Sequence, residues 1–387
     1  MISFSELSRL WIPLGIAILG VPVITLLYWK RIKDKQEQQN LSNNLKEFAG
    51  KLKSVPLVYN SPTFCIPSWY FDTEKGKWEE IRTIGEKRKI FDDIVITPLN
   101  EISILTFNIW FSSHRQKERT EELVTLLKDK IPSVICLQEV TPVILALIAK
   151  DEFLREHYIF SDFTGETFLG YGVLMLISKE LYSSCDSLLF YVRSLPSMFC
   201  RRVLFADLTY FSTKGKETLR FSTVHLESSS GAHKTRKEQL EIIGTMIKDT
   251  TIPEHKTTIV NASRDIIESK TPWHHTIFVG DFNYDIDWLT SQNKVCQEEE
   301  VLQLCGLQDV WKELNPNEKG YTIPKIINSN ARRIDRITYV SDSLKPNSIQ
   351  IIGDYQLPGD ICEMCQVKGR VCSISDHFGL HAIFKIE

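Results

Sequence analysis

Neither sign of charge dominates this 387-residue chain: 46 Lys and Arg stand against 49 Asp and Glu, a formal net charge of -3. That balance excludes the global basic field with which most non-specific nucleic-acid binders collect phosphates, so any such contact must be local. A disulfide framework is missing as well. The nine cysteines are odd in number, run from Cys65 to Cys372, and belong to a chain long enough to need no covalent staples, which favours free thiols in a reducing compartment. Cys362-Glu-Met-Cys365 with Cys372 is only half of a zinc pattern, and the segment reads as a loop. No internal repeat and no long low-complexity run is present, which excludes solenoids and arrays. With 43% hydrophobic and 25% charged residues, one large domain fits after the first hundred positions.

One uncharged stretch, Leu10 to Trp29, holds 20 residues and as a helix would span roughly 30 Å, the hydrocarbon thickness of a bilayer. Pro13, Gly15, Gly20 and Pro22 would weaken a helix in water but are tolerated in a membrane, and Trp11, Tyr28 and Trp29 stand where interfacial aromatics belong. A cleaved signal peptide would be shorter and end in small residues, whereas Lys30, Arg31, Lys33 and Lys35 follow here. Those cations outnumber the single Arg9, so the positive-inside rule predicts a single-pass membrane protein with its bulk in the cytosol. The sequons at Asn40 and Asn261 point the other way but are short enough to arise by chance. The expected organisation is a tail over 1–9, a transmembrane helix over 10–29, a basic stalk and lead-in segment over 30–99, and a catalytic domain over 100–387.

Within that domain Glu101 to Phe107 and Leu219 to Val224 alternate apolar and polar residues, while Ser133 to Leu137, Gly172 to Ile177 and Thr276 to Val279 are apolar throughout. All predict strands, as do Arg336 to Val340 and Leu380 to Ile386. Arg115 to Lys130 and Ala232 to Lys248 carry leucines and isoleucines at helical spacing with charges opposite. Strands of both kinds with helices between them predict an α/β domain of two packed mixed β-sheets flanked by helices.

Polar residues recur where these strands end. Asn108, Gln138-Glu139, His225, Gly280-Asp281-Phe282-Asn283, Asp335 and Ser375-Asp376-His377 come in that order, each at or just past an apolar run. Acids, amides and histidines brought to one sheet edge suit a Mg²⁺-dependent phosphodiesterase. Glu139 is a hard-oxygen ligand at a strand mouth, with Asp376 the second candidate for the metal, Mg²⁺ or Mn²⁺ in its place. Asp281 suits activation of water and Asn283 the holding of a phosphoryl oxygen. His377 suits stabilisation of the phosphorane, with Asp335 orienting its ring and favouring the protonated form. His225 is set apart by the Leu226-Glu227-Ser228 that follows it; His114, His157, His255, His274, His275 and His381 read as ordinary core or surface residues.

This ordered set resembles the endonuclease/exonuclease/phosphatase superfamily over about residues 100 to 387, which implies a DNase I-like four-layer sandwich. His225-Leu-Glu-Ser228, Arg236, Gln239-Leu240 and Asp309-Val-Trp311 resemble its tyrosyl-DNA phosphodiesterase 2 branch, and the HLES string is the most specific of them. The resemblance implies catalytic roles for Asn108, Glu139, Asp281 and His377, with His225, Ser228 and Asn283 around the phosphate. Tyr171 and Trp311 match aromatics that cradle the terminal nucleotide, and Arg201 and Arg202 match a phosphate-contacting arginine. Two positions depart from the pattern. Trp110 stands where an acid usually follows the asparagine by two residues, and Asp285 stands where a DNA-binding arginine is placed, an acid that would repel phosphate.

The expectation is a membrane-anchored metal-dependent phosphoric diester hydrolase of the 5′-tyrosyl-DNA phosphodiesterase type, with no obligate protein partner. The alternatives are a neutral sphingomyelinase-like enzyme acting on a phospholipid headgroup and a non-specific nuclease. A scaffold built on an inactive nuclease fold is disfavoured, because every expected catalytic position is occupied. Intact HLES and DVW strings favour a nucleic-acid 5′ end; Asp285 and the apolar amino-terminal run favour the lipid.

Overall fold

The computed structural model describes residues 63–387 apart from 83–86, 88–89, 91–98, 213, 230, 249–274, 293, 324–330 and 360–371. Its strands are β1 (Thr63–Ile66), β2 (Ser68–Asp72), β3 (Lys77–Ile81), β4 (Glu101–Asn108), β5 (Val134–Val140), β6 (Tyr158–Phe160), β7 (Gly172–Ser178) and β8 (Ser187–Ser194). They continue with β9 (Arg202–Ser212), β10 (Gly215–His225), β11 (His275–Asp281), β12 (Gln308–Asp309), β13 (Asp335–Ser341), β14 (Leu344–Ile352) and β15 (Gly379–Ile386). Two mixed sheets result. One runs β1-β8-β9-β10-β11-β13-β12, the other β14-β15-β4-β5-β7-β6-β2-β3. Each contains one parallel pair, β10–β11 in the first and β4–β5 in the second, and the other pairings between described strands are antiparallel.

Strand alternation decides which side chains meet between the sheets. In β4, Ile102 and Ile104 join the inter-sheet core with Phe221 of β10 and Ile277 and Val279 of β11, while Leu105 and Phe107 pack outward. The outward face of that sheet is covered by the helices Gln116–Lys130 and Pro142–Lys150, through Leu123, Leu127, Ile144 and Ile148. The other sheet is covered by His233–Lys248 and Gln297–Leu304, through Leu240, Ile243 and Val301. Helix, sheet, sheet and helix make the four layers expected from sequence. Full burial of each such side chain is worth roughly 1.5–3 kcal/mol, which fixes the register of the strands that carry the site.

A polar staple crosses the core below the strand ends. Gln138 Nε2 donates to Thr106 Oγ1 of β4 at 3.0 Å and to Thr223 Oγ1 of β10 at 3.1 Å, linking the two sheets where a hydrophobic side chain would otherwise sit.

One expectation is corrected. No helix among the described residues is long and apolar enough to cross a membrane; the longest, His233–Lys248, has 16 residues and a charged face. The run from Leu10 to Trp29 lies outside the described residues, and the membrane localisation is not retained. Cys362 and Cys365 also lie outside them. Cys65, Cys136, Cys185, Cys200, Cys296, Cys305 and Cys372 are all free thiols, as the odd count suggests.

Candidate active site

The parallel pairs deliver the polar residues by register. His225 ends β10 opposite Asp281 at the end of β11, Asp281 in turn faces Asp335 at the start of β13, and Asn108 ends β4 opposite Gln138. Period-two alternation puts Asn108, His225 and Asp281 on the inter-sheet face, in line with Ile104, Phe221 and Ile277. Strict alternation would send Glu139 to the helix side. A register shift between Leu137 and Val140 and a φ of 63° at Glu139 turn it back toward Asn108. Trp110 and Asn283 also hold left-handed backbone, at φ 58° and 55°. For Glu139 and Trp110, which seldom adopt it, such backbone costs on the order of 1–3 kcal/mol each and is held by the hydrogen bonds of Phe111 N–H to Glu139 and Trp110 N–H to Asn108.

Asp281 is the hub. Its Oδ2 accepts from Asn108 Nδ2 at 2.9 Å and lies 3.4 Å from His225 Nε2 and 3.9 Å from His377 Nε2. Burial, reinforced by the neighbouring charge of Asp335, pushes its carboxyl up to about 7. Glu139 is held by the Phe111 N–H at 2.8 Å and by Asn108 Nδ2 at 3.3 Å, and burial raises its pKa as well. Ser375 Oγ donates to the Asn108 carbonyl at 2.6 Å and accepts from the His377 N–H at 3.2 Å, fastening the last motif to the first.

Neighbours hold the two histidines in opposite states. Arg201 Nη1 donates to His225 Nδ1 at 2.8 Å; a guanidinium has no acceptor, so Nδ1 is unprotonated and the ring proton sits on Nε2, toward Asp281. Burial, with the charges of Arg201 and His377, lowers the His225 pKa well below its usual value, so the ring is neutral. His377 Nδ1 instead lies 2.8 Å from Asp335 Oδ2. Burial opposes its charge, but Asp335, then Asp281 and Asp376, raise its pKa well above the usual value. A neutral and a cationic imidazole thus both bring Nε2 into the site, 3.4 and 3.9 Å from one oxygen of Asp281.

Asn283 and Ser228 close the circle. Asn283 Nδ2 donates to the Leu226 carbonyl at 2.9 Å and retains a second N–H; Ser228 Oγ accepts from Arg201 Nη2 at 3.2 Å and retains its own proton to give. Tyr171 lies beside them, its ring 5.3 Å from the Arg201 guanidinium and 6.3 Å from the His225 ring. Asp376 is half-buried at the rim. One expected residue is not brought in, and a second turns its charged end away. Trp311 is buried in the inter-sheet core, its indole N–H donating to the Glu318 carbonyl at 3.2 Å. Arg202 lines the cleft shared with Tyr171, Arg201 and His225, but its guanidinium turns to the Thr167 carbonyl, 2.6 Å away, and lies over Phe64. Asp285 lines the groove beside Ser228 and Asn283, and its carboxylate caps the helix Ile286–Ser291 through Trp288 N and accepts from Arg333 N at 2.9 Å.

The reading from sequence missed Gln138 as a staple, Phe111 as a ring stacked on Tyr171 at 4.9 Å, and Arg119, a buried guanidinium among the carbonyls of two site loops. Arg119 sits on the predicted amphipathic helix, and a charge on its apolar side is the one signal that could have exposed it.

Asp281, Asp335 and His377 each offer a ligand atom, all within 4.8 Å of one another, as a metal cluster would. A fold of two mixed sheets with acids, amides and histidines at the ends of their central strands is that of a phosphoesterase. The chain belongs to the endonuclease/exonuclease/phosphatase family, whose model matches residues 105–377 and whose members hydrolyse phosphodiester bonds. Its fold is similar to that of D. rerio TDP2 complexed with a single strand DNA product, at 23% identity over 73% of this chain and 98% of that one, TM-score 0.51. The structure of TDP2 from C. elegans is comparably similar, at 20% identity over 74% of this chain and 75% of that one, TM-score 0.51. Comparison with curated proteins gives no match.

Proposed function

We propose that this chain hydrolyses a phosphodiester at a nucleic-acid 5′ end, of the tyrosyl-DNA type, by in-line attack of water with a divalent cation. The observation that carries the reading is the convergence of Asn108, His225 and His377 on one oxygen of Asp281, within 3.9 Å. Asp281, held by Asn108 at the centre of the cluster, takes the proton of the attacking water. Nε2–H of His225, Nε2–H of His377, the spare N–H of Asn283 and the Ser228 hydroxyl are donors for the phosphoryl oxygens, and they favour the phosphorane because charge grows there. Asn108 orients Asp281 and Glu139 together through its two amide hydrogens.

The donor set fits a hard cation. Asp281 is buried and Glu139 half-buried, and burial disfavours the charge of both carboxylates, which a divalent ion beside them would compensate. Asp335 Oδ2 is committed to His377 Nδ1, so Glu139, with Asp281 and Asp376 near it, would hold Mg²⁺ or Mn²⁺. When bound there, the ion supplies charge neutralisation at the phosphoryl and leaving oxygens.

A groove of about 910 Å³ supports a polymeric substrate, because it opens from Ser228 and Asn283 past His233, Trp288, Lys294 and Arg332. Lys294 lies 5.3 Å from the centre of the Trp288 ring, which is half-exposed and can stack a base for roughly 1–3 kcal/mol. Asp285 and Glu298 line the same groove, and the Trp288 and Arg333 N–H groups that Asp285 accepts from offset part of its charge. The test supplies the purified protein with a 5′-phosphotyrosyl oligonucleotide or sphingomyelin, first with Mg²⁺ and then with EDTA. Turnover of the oligonucleotide that EDTA abolishes is expected, with Asp281→Asn at least about 10³-fold slower. Preference for sphingomyelin, or full activity in Asp281→Asn, rejects the proposal.

A further inference from the structure

Arg119 is 3% exposed, and no carboxylate accepts from it among the described residues. Instead its guanidinium donates to five main-chain carbonyls. Nε reaches His114 O at 2.9 Å, Nη1 reaches Ile109 O at 2.8 Å and Ile374 O at 3.1 Å, and Nη2 reaches Trp110 O at 3.1 Å and Ser112 O at 2.5 Å. The Trp110 ring lies 4.7 Å from the guanidinium carbon. Four of those carbonyls belong to the loop after β4, the fifth to the loop that leads into Ser375-Asp376-His377.

Those two loops carry the site. The first supplies the Phe111 N–H to Glu139 Oε2 and the Trp110 N–H to Asn108 Oδ1 at 3.1 Å. The second supplies Ser375, bonded to both Asn108 and His377. Only a planar five-donor group matches so many carbonyls at once; a lysine has three donors at a single point. We propose that Arg119 is a positioning residue that ties the loop holding Asn108 and Glu139 to the loop holding His377, setting their spacing for phosphodiester hydrolysis without touching the substrate. This rests on the hydrolytic reading above.

The test compares wild type with Arg119→Met and Arg119→Lys by steady-state hydrolysis of bis(4-nitrophenyl) phosphate with Mg²⁺, by circular dichroism, and by amide hydrogen exchange. In Arg119→Met with a native spectrum, kcat is expected to fall by about 30-fold or more while KM stays within about 3-fold, since a misplacement of about 1 Å costs on that order. Arg119→Lys is expected to recover part of kcat. Exchange is expected to quicken in residues 109–114 and 373–377 together. Wild-type kcat in folded Arg119→Met, a loss confined to KM, or faster exchange in the first loop alone overturns the proposal. Should Arg119→Met fail to fold, Arg119→Lys carries the same readouts. Because exchange is read without turnover, a wild type that hydrolyses no phosphodiester rejects the hydrolytic reading, while the exchange pattern still judges the tie between the loops.

Discussion

Arg201 shows how a single residue controls chemistry it does not perform. Its two terminal nitrogens are engaged by His225 and Ser228, so its charge serves to fix the histidine's proton on Nε2 as much as to attract a phosphate. Arg201→Met removes that constraint and lets the proton move to Nδ1, taking a donor away from the phosphate position. The expected loss in kcat is about 10- to 100-fold, with the tautomer change visible in the ¹⁵N shifts of His225. Unchanged shifts would show that something else holds the ring. Asp335 performs the complementary service for His377. Pairing each imidazole with a different partner is what lets one stay neutral and the other cationic within reach of the same carboxylate.

At the scale of elements, the site depends on how strands end. Gly280 sits one residue before Asp281 at φ 135°, and a Cβ there would lie 2.0 Å from the Val224 carbonyl oxygen of the adjacent strand. Gly280→Ala must therefore distort the parallel pair that sets His225 against Asp281. A stability loss of roughly 3 kcal/mol is expected in urea unfolding, with activity falling as well. A variant as stable as wild type would mean that the turn relaxes freely. The strand ends were also what the sequence made legible. Asn108, His225 and Asp281 follow apolar runs whose alternation names the face they must take, and the observed strands β4, β10, β11 and β13 extend the predicted runs by a few residues. Glu139 was found by its neighbours, but the backbone turn that aims it was not, because no residue type announces a bulge at a glutamate. Arg119 and Gln138 escaped because their partners are carbonyls and hydroxyls from distant segments. Trp311 misled because an aromatic after an acid looks the same in sequence whether it faces a nucleotide or the core.

For the whole molecule, buried histidines tie stability to pH. His381 Nδ1 accepts from Gln350 Nε2 at 3.1 Å, and burial, with the nearby Lys130 charge, lowers its pKa to about 4. The unfolded chain binds that proton near 6.5 and the folded chain does not, so His381 contributes stability above pH 6.5 that is lost as the pH falls toward 4. His377 and Asp281 act in the opposite sense, since folding raises both pKa values. The clean measurement is thus a difference. In EDTA, His381→Asn should lower the slope of unfolding free energy against pH between 6.5 and 4 by up to one proton relative to wild type, and an unchanged slope would contradict the assignment.

Asn108 and Glu139 arrive on one sheet, His225 and Asp281 on the other, and the Gln138 staple lies just beneath them. Neither half of the sandwich is a catalyst by itself. Turnover is then a gauge of docking: a lesion remote from the cleft that lets the sheets slide would silence the enzyme while its circular dichroism still looks intact.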